Sequence, residues 1–264
     1  MTRKSKSFWE LKVTNLDGGV AWVTGAGTGI GEAGALALAR AGMTVVLTGR
    51  RKEPLDAVAK RIAAAGGKAR VELADVADAK AVRRAADAIA AAFGKLDVLV
   101  NNAGLNVPER RWNKLQPEAI EKIIGANLTG AFLVVQAALP LMREKGGVMI
   151  HTSSWAGRFI GPISGPAYMA AKHGVVAMSH SINLEQGRYG IRSSVLCPGE
   201  VATPILAFRD PPEKPEDIAR MLQPDDMGEL IAFIARQPPH VCINEVVISP
   251  THNRGYAKLM EGRT

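Results

Sequence analysis

The chain has 264 residues, 47% of them hydrophobic, a formal net charge of +8 and two cysteines. This length supports one sizeable buried core, and so few cysteines suggest reduced thiols instead of a disulfide framework. The basic segment 1–6 is not followed by the apolar segment that a secretory signal requires. The longest apolar stretch, residues 131–142, is too short to span a bilayer. We therefore expect a cytoplasmic protein with no membrane partner, one domain over residues 1–264 and an N-terminal extension over residues 1–16.

The positive charges are scattered over the termini and the predicted helix surfaces, with acidic residues between them. No basic stripe alternates with aromatic side chains, as it does in proteins that bind single-stranded nucleic acid. The five histidines show no metal-ligand spacing and no cysteine cluster beside them. We expect neither a nucleic-acid partner nor a metal site, but a solvated surface and a site for an anionic cofactor.

Strand and helix patterns alternate along the chain. Strands are predicted near residues 19–24, 43–48, 69–74, 97–101, 147–153, 191–196 and 244–249, and helices near 29–41, 54–65, 79–93, 117–124, 128–144, 166–187 and 224–236. The continuous apolar runs 45–47 and 98–100 suit strands buried on both faces of a parallel sheet. These patterns predict one doubly wound α/β domain of Rossmann type, with a mostly parallel seven-stranded sheet, helices on both faces and a ligand beyond the carboxyl strand ends.

The first predicted strand leads directly into Thr24-Gly25-Ala26-Gly27-Thr28-Gly29-Ile30-Gly31 and an alanine-rich helix. This order places backbone N–H groups and the positive end of the helix where a pyrophosphate can bind. The spacing is not the commoner Gly-x-Gly-x-x-Gly, and a glycine-rich match can also be only a tight turn. The flanking strand and helix favour nucleotide binding.

The second predicted strand ends in Gly49-Arg50-Arg51, and no carboxylate follows before Glu53. A carboxylate at the end of this strand would bind a ribose 2′-OH and repel a 2′-phosphate. Arg50 instead offers a planar fork of donors to a phosphate, with Arg51 nearby. This pattern favours NADP(H) over NAD(H), although both arginines could also belong to a plain surface turn.

Tyr168 and Lys172 are neighbours on one face of the helix predicted from residue 166. At about 4 Å and an effective dielectric near 20, an ammonium stabilises a phenolate by roughly 4 kcal/mol. We expect this charge to lower the pKa of Tyr168 towards neutrality, so that the phenol can give and take a proton. Such pairs also occur by chance, and the rest of the chain must support this interpretation.

Several motifs in order resemble the short-chain dehydrogenase/reductase family, over residues 17–250. They are Thr24-Gly25-x3-Gly29-x-Gly31, Asp75-Val76, Asn101-Asn102-Ala103-Gly104, Asn127, Ser154, Tyr168-x3-Lys172 and Pro198-Gly199. The resemblance implies a nicotinamide-dependent oxidoreductase that interconverts a small-molecule carbonyl and a secondary alcohol. A non-catalytic dinucleotide sensor or scaffold is the alternative, which the complete set of Asn127, Ser154, Tyr168 and Lys172 disfavours.

The resemblance also assigns roles to individual residues. Tyr168 is the acid/base, Ser154 binds the substrate oxygen, Lys172 lowers the pKa of Tyr168 and holds the ribose, and Asn127 supports a water that links Lys172 to solvent. Asp75 and Val76 flank the adenine. The other implied cofactor residues are Gly25, Thr28, Gly29, Ile30, Gly31, Arg50, Asn102, Ala103, Gly104, Pro198, Gly199, Val201 and Thr203.

The chain departs from the family pattern at two places. The gap between Ser154 and Tyr168 is one residue longer than usual, so residues 161–166 absorb an insertion and Ser153 is a rival for the serine role. Residues 244–251 lack the Gly-Gly and Asp-Gly pattern of many relatives.

The substrate itself is not defined by the sequence. Trp155 and residues 205–221 are expected to cover the pocket. An acidic substrate could meet Arg158, Arg209 and Lys214, although exposed charges are usually only solvated. Residues 131–142 and the helix from residue 166 carry small and apolar side chains over most of their surface. Since relatives pair these two helices across twofold axes, we expect a homotetramer, with a dimer as second choice.

Overall fold

The computed structural model describes residues 13–208, 212–254 and 256. Its strands are β1 Val20–Thr24, β2 Thr44–Gly49, β3 Lys68–Leu73, β4 Val98–Asn101, β5 Gly147–Thr152, β6 Ile191–Pro198 and β7 Glu245–Ile248. Its α-helices are α1 Gly29–Arg40, α2 Lys52–Ala64, α3 Ala79–Phe93, α4 Pro117–Ile124, α5 Gly130–Met142, α6 Pro166–Gln186, α7 Pro215–Ile218 and α8 Pro224–Ala235. The predicted strands and long helices are all present, with ends that differ by one or two residues at most positions.

The strands form one sheet in the order β3-β2-β1-β4-β5-β6-β7, and every neighbouring pair is parallel. The chain returns from β3 at one edge to β4 beside β1, so the strand order reverses between these two central strands. Doubly wound sheets bind their ligands beyond the carboxyl strand ends at this point. The predicted fold is confirmed, and the described sheet is parallel throughout.

Both faces of the sheet are covered by helices. In β1, Trp22 packs into the cluster beneath α3, α5 and α6, whereas Ala21 and Val23 pack into the cluster beneath α1, α2 and α8. The Trp22 indole donates to Thr48 Oγ1 at 2.9 Å, which satisfies its polar atom inside the core. Alternate residues of one strand therefore serve two cores, which explains why the central strands read as continuous apolar runs.

Helices α4 and α5 are joined by a π-helical turn, Gly125–Thr129, into one run from Pro117 to Met142. The sequence predicted two separate helices here. By length and composition the joined run could cross a bilayer, which residues 131–142 alone could not. However, Val134, Ala138 and Met142 are fully buried against the sheet and α3, so the apolar composition is that of a core helix.

Parts of three predicted segments lie outside the described residues. These are residues 1–12 of the N-terminal extension, Arg209 with its neighbours 210–211, and most of the C-terminal segment after residue 254. Within the extension, Thr14 N donates to Arg236 O at 2.7 Å and Leu16 is buried in the core. Residues 205–221 include α7 and all but the first residue of the 3-10 turn Pro204–Phe208, and neither was predicted as an element.

Candidate active site

A cavity of about 730 Å³ opens at the carboxyl ends of the central strands, within the range of roughly 300–1,000 Å³ that small-molecule sites occupy. Every predicted site residue except Gly31 lines this cavity. These residues are Gly25, Thr28, Gly29, Ile30, Arg50, Asp75, Val76, Asn102, Ala103, Gly104, Asn127, Ser154, Tyr168, Lys172, Pro198, Gly199, Val201 and Thr203. The fold thus brings together side chains that are separated by up to 178 positions in the chain.

Two side chains of α6 stand at one end of the cavity. Helix α6 begins at Pro166, and proline is favoured at the first position of a helix. Tyr168 and Lys172 follow in the same helix, about one turn apart. Lys172 is 3% exposed, and its Nζ donates to Thr152 O at the end of β5, at 2.8 Å. The same Nζ lies 5.5 Å from the centre of the Tyr168 ring. The ammonium is therefore held beside the phenol by a bond to the sheet.

The predicted fall in the pKa of Tyr168 is wrong. Although the side chain lines the cavity, burial of its hydroxyl raises the pKa of Tyr168 to about 12, and a hydrogen bond with Ser154 offsets part of the rise. Burial also lowers the pKa of Lys172 to about 8. The loss of water around the phenol and the ammonium has a larger effect on both pKa values than the attraction between the two groups.

The two rival serines have different partners. Ser153 is 2% exposed, and its Oγ donates to the backbone carbonyl of Lys172 at 2.8 Å, which ties α6 to the end of β5. Ser154 Oγ accepts from Ala156 N at 3.1 Å and shares a hydrogen bond with Tyr168. Ser154 is thus the serine whose hydroxyl meets the phenol.

Asn127 projects from the π-helical turn between α4 and α5. Its Nδ2 donates to Leu105 O at 2.7 Å and to Ile123 O at 2.8 Å, and its buried Oδ1 has no partner among the described residues. A Cβ at Gly104 would lie 2.6 Å from this Oδ1 and 3.4 Å from Lys172 Nζ. Glycine therefore keeps a small space open between the amide and the ammonium, and π-turns often occur at such sites.

The glycine loop shapes the opposite end of the cavity. Gly25 and Gly29 adopt positive φ angles of 64° and 59°, which L side chains rarely do. Thr28, the residue before α1, makes no side-chain cap, so the first N–H groups of the helix face the cavity without a side-chain partner. This loop fits a pyrophosphate, because the N-terminus of α1 offers N–H donors and the glycines let the backbone come close to the phosphate groups.

Gly31 does not line the cavity, unlike the other residues that the resemblance implies for cofactor binding. A Cβ there would collide with the carbonyl oxygen of Gly25 and lie 2.5 Å from Asn102 Nδ2. This amide donates to Thr24 O at 3.2 Å and to Gly25 O at 3.4 Å, while Thr24 Oγ1 accepts from Ala103 N at 3.1 Å. Gly31 thus lets α1 pack under a loop that Asn102 supports.

A third part of the cavity lies beyond β2 and β3. Arg50 Nη1 is 3.9 Å from Asp75 Oδ2, and the two side chains are 60% and 45% exposed. Arg51 lines the same region, where Gly49 ends β2. This arrangement places two guanidinium groups and one carboxylate where a doubly wound fold binds the adenosine ribose.

The residues predicted to cover the pocket or bind an acid lie mostly elsewhere. Trp155 packs on Phe159 and Tyr256, with ring centres 4.8 and 5.3 Å apart, and does not line the cavity. Arg158 forms a bidentate ion pair with Glu245 of β7, and Lys214 also lies outside the cavity lining. Arg158 is thus held by an acid from a strand 87 positions away in the chain.

The loop after β4 also contributes to the site, although it was not predicted from the sequence. Asn106 Nδ2 donates to Ser164 O at 2.9 Å, and Arg110 Nε donates to Ile163 O at 2.7 Å, so this loop is bonded to the predicted insertion. These residues and Leu105 line the cavity near Tyr168. Their position directly after a central strand was the available signal, because loops at this sheet edge carry the binding residues.

A sequence profile of short chain dehydrogenases matches residues 19–214. The chain belongs to the short-chain dehydrogenase/reductase family. One relative is a cyclohexanol dehydrogenase from Acinetobacter sp. (strain SE19), 34% identical over 81% of this chain and 86% of that protein.

Two solved structures of similar proteins contain a cofactor. An alcohol dehydrogenase from the archaeon Thermococcus sibiricus, complexed with 5-hydroxy-NADP, is 29% identical over 90% of this chain and 99% of that one, with a TM-score of 0.82. A metagenomic short-chain oxidoreductase in complex with NADP is 34% identical over the same shares, with a TM-score of 0.78.

This short-chain dehydrogenase/reductase is an enzyme that interconverts carbonyl and alcohol groups with a nicotinamide dinucleotide. The non-catalytic sensor or scaffold considered from the sequence is therefore set aside. Within the described residues no group of histidine, cysteine and acidic side chains could hold a metal ion, and both cysteines are free thiols.

Proposed function

We propose that Tyr168, Ser154, Lys172 and Asn127 carry out the proton transfers of this ketone–alcohol interconversion. The observation that carries the proposal is that Tyr168 and Ser154 are hydrogen-bonded to each other in a cavity whose other end is the glycine loop. A carbonyl oxygen between the two hydroxyls can accept a hydrogen bond from each. A nicotinamide cofactor, when bound, supplies or takes the hydride at the carbonyl carbon.

Tyr168 moves the proton. With a pKa of about 12 its hydroxyl is protonated at neutral pH, which is the form that gives a proton to the developing alkoxide during reduction. In the oxidation direction the same oxygen must accept a proton, and a positive charge beside the ring assists this step. Lys172 supplies that charge from 5.5 Å, and it is mostly protonated at neutral pH because its pKa is about 8.

The substrate we propose is a neutral alicyclic or other apolar ketone and the corresponding alcohol. The cavity that contains Tyr168 is lined by the apolar side chains Leu105, Ile163, Ile205 and Leu206. Arg110 also lines it, and its guanidinium donates to Ile163 O and Val107 O. Arg158, one of the three basic residues considered as contacts for an acid, is paired with Glu245. The relative named for cyclohexanol supports the same substrate class.

A matched pair of substrates tests this assignment. Cyclohexanone and 4-oxocyclohexane-1-carboxylate differ only by a carboxylate, and their reduction can be followed by cofactor absorbance. Since an unpaired charge is costly to bring into an apolar pocket, we expect kcat/KM to favour the neutral ketone by about tenfold or more. Preference for the carboxylate would overturn the substrate assignment. If neither ketone reacts above the rate of a Ser154→Ala control, the proposed site itself is in doubt.

We also propose that the cofactor is NADP(H), with NAD(H) as the weaker alternative. Arg50 and Arg51 line the cavity at the end of β2, and Gly49 leaves that strand end without a carboxylate. The carboxylate of Asp75, after β3, lies 3.9 Å from Arg50 Nη1. The two similar structures that contain NADP or its derivative are in line with this preference.

The assembly we propose is a homotetramer in the cytoplasm, with a dimer as second choice, in which one domain carries both the cofactor and the substrate. Phe132 of α5 and Leu184 of α6 are 43% and 86% exposed, so each of the two helices offers an apolar side chain to a partner subunit. Light scattering at micromolar concentration tests the proposal, because a monomer there would contradict both assemblies.

A further inference from the structure

Two side chains of the loop after β4 hold the segment that precedes α6. Asn106 Nδ2 donates to Ser164 O at 2.9 Å, and Arg110 Nε donates to Ile163 O at 2.7 Å. Asn106, Ile163 and Ser164 all line the cavity. The backbone of one part of the cavity wall is therefore held by side chains from a segment more than 50 positions away in the chain.

Asn106 suits this contact because its amide is used at both ends. Its Oδ1 accepts from Val107 N at 2.9 Å, while its Nδ2 reaches across to Ser164. An amide has an acceptor and donors, whereas an aspartate only accepts at neutral pH and an aliphatic side chain does neither. Both bonds therefore require an amide at this position.

The segment that Asn106 holds has no regular structure of its own. Residues 158–165 are all described, and none of them belongs to a helix or strand. Gly165 has a φ angle of 78°, and a Cβ there would lie 2.4 Å from Arg110 O, so the two segments approach closely just before α6. Ile163 is 50% exposed although it lines the cavity. Its position thus depends on the bonds to the backbone at residues 163 and 164.

We propose that Asn106 is a positioning residue that fixes residues 163–164 in the cavity wall and thereby limits the size of the ketone that is accepted. Asn106 acts through Ser164 O, and Ile163 is the side chain that the wall presents to the ketone. The size limit rests on the proposed function, because it takes this wall as part of the substrate end. The tie between the two segments does not.

Hydrogen–deuterium exchange of the cofactor-free protein tests the tie without any turnover. Met169 N donates to Gly165 O at 3.1 Å in the first turn of α6, so its amide reports how firmly the segment before the helix is held. Since one hydrogen bond contributes a factor of about five to local stability, we expect Asn106→Ala to speed exchange at Met169 by about fivefold. Asn106→Asp keeps the acceptor for Val107 N and loses the donor, so exchange should be faster at Met169 and unchanged at Val107.

A pair of ketones tests the size limit. Cyclohexanone and 4-tert-butylcyclohexanone differ by one bulky apolar group, and we compare their kcat/KM values by cofactor absorbance. In Asn106→Ala the ratio of cyclohexanone to the bulkier ketone should fall about fivefold, because a loosened wall admits the larger ring. Asn113→Ala is the matched control, since it replaces an exposed asparagine of the same loop that does not line the cavity, and it should change neither the ratio nor exchange at Met169.

A double variant tests whether Asn106 acts through the wall side chain. Ile163→Ala should lower the same ratio by about tenfold, because it removes apolar bulk from the wall itself. If Asn106 works by holding this side chain, adding Asn106→Ala to Ile163→Ala should change the ratio by less than about twofold. A purely structural role elsewhere would instead make the two effects multiply.

Unchanged exchange at Met169 in Asn106→Ala, or faster exchange throughout the sheet, would overturn the tie. An unchanged ratio beside a local exchange response, or effects that multiply in the double variant, would overturn the size limit. If neither ketone is reduced by the unmodified protein, the proposed substrate class fails and the size limit with it, while the exchange result still decides whether Asn106 holds the segment before α6.

Discussion

We expect an acidic residue in place of Gly49 to reverse the proposed preference for NADP(H). A Cβ there would approach no atom closer than 3.5 Å, the distance to Leu55 Cδ2, and the backbone is not in the left-handed region. An aspartate therefore fits at the end of β2, where it would bind a ribose 2′-OH and repel a 2′-phosphate. Because Arg50 is 60% exposed, we place its contribution to phosphate binding at the low end of a charge-assisted bond, about 1.5 kcal/mol, or roughly tenfold in affinity.

The assay is kcat/KM for NADPH and NADH with one ketone, on the unmodified protein and three variants. We expect the unmodified protein to favour NADPH, Arg50→Ala to lose about tenfold of that preference, and Gly49→Asp to favour NADH. Gly49→Asn is the matched control, since it has nearly the same shape without the charge and should keep NADPH as the better cofactor. Equal or better use of NADH by the unmodified protein would refute the assignment, and a switch in Gly49→Asn would refute the electrostatic reasoning.

Two further predictions concern buried groups. His151 on β5 is fully buried, its ring nitrogens have no partner among the described residues, and burial lowers its pKa to about 3. In the unfolded chain His151 therefore binds a proton below about pH 6.5, whereas in the folded protein it stays neutral down to about pH 3. The free energy of unfolding therefore decreases as the pH falls below 6.5, by about 2 kcal/mol between pH 7 and pH 5. Urea unfolding at both pH values should show that His151→Leu loses less stability than the unmodified protein, and an equal loss would contradict the prediction. Gly104→Ala should lower kcat/KM by at least about tenfold, because the new methyl group would lie 2.6 Å from Asn127 Oδ1. Gly125→Ala is the control: its new methyl group would have no atom within 4 Å, so kcat/KM should be unchanged. Similar losses in both variants would count against a specific role for the space at Gly104.

The sequence predicted the fold well because its signals are local. Apolar runs such as residues 98–100 mark strands buried on both faces, and the glycine loop follows directly from the first strand. Since parallel strands end at the same edge, the residues that follow them were expected to meet, and they line one cavity.

What the sequence did not predict depends on contacts between distant segments. The π-turn at Asn127 has no local signal, because residues 125–129 read as an ordinary link between helices. The pairing of Arg158 with Glu245 and of Arg254 with Glu200 joins residues 87 and 54 positions apart. The pKa of Tyr168 depends on how much water the folded chain excludes, which the i,i+4 spacing does not reveal.

The most direct test of the proposed mechanism is the Tyr168→Phe variant. Phenylalanine keeps the ring that lies beside Lys172 and removes the hydroxyl that bonds to Ser154. We expect turnover of a ketone to fall by about a hundredfold or more, while NADPH affinity, measured by fluorescence titration, stays within about threefold. A variant that retains near-normal kcat with intact cofactor binding would contradict the assignment of Tyr168 as the acid/base.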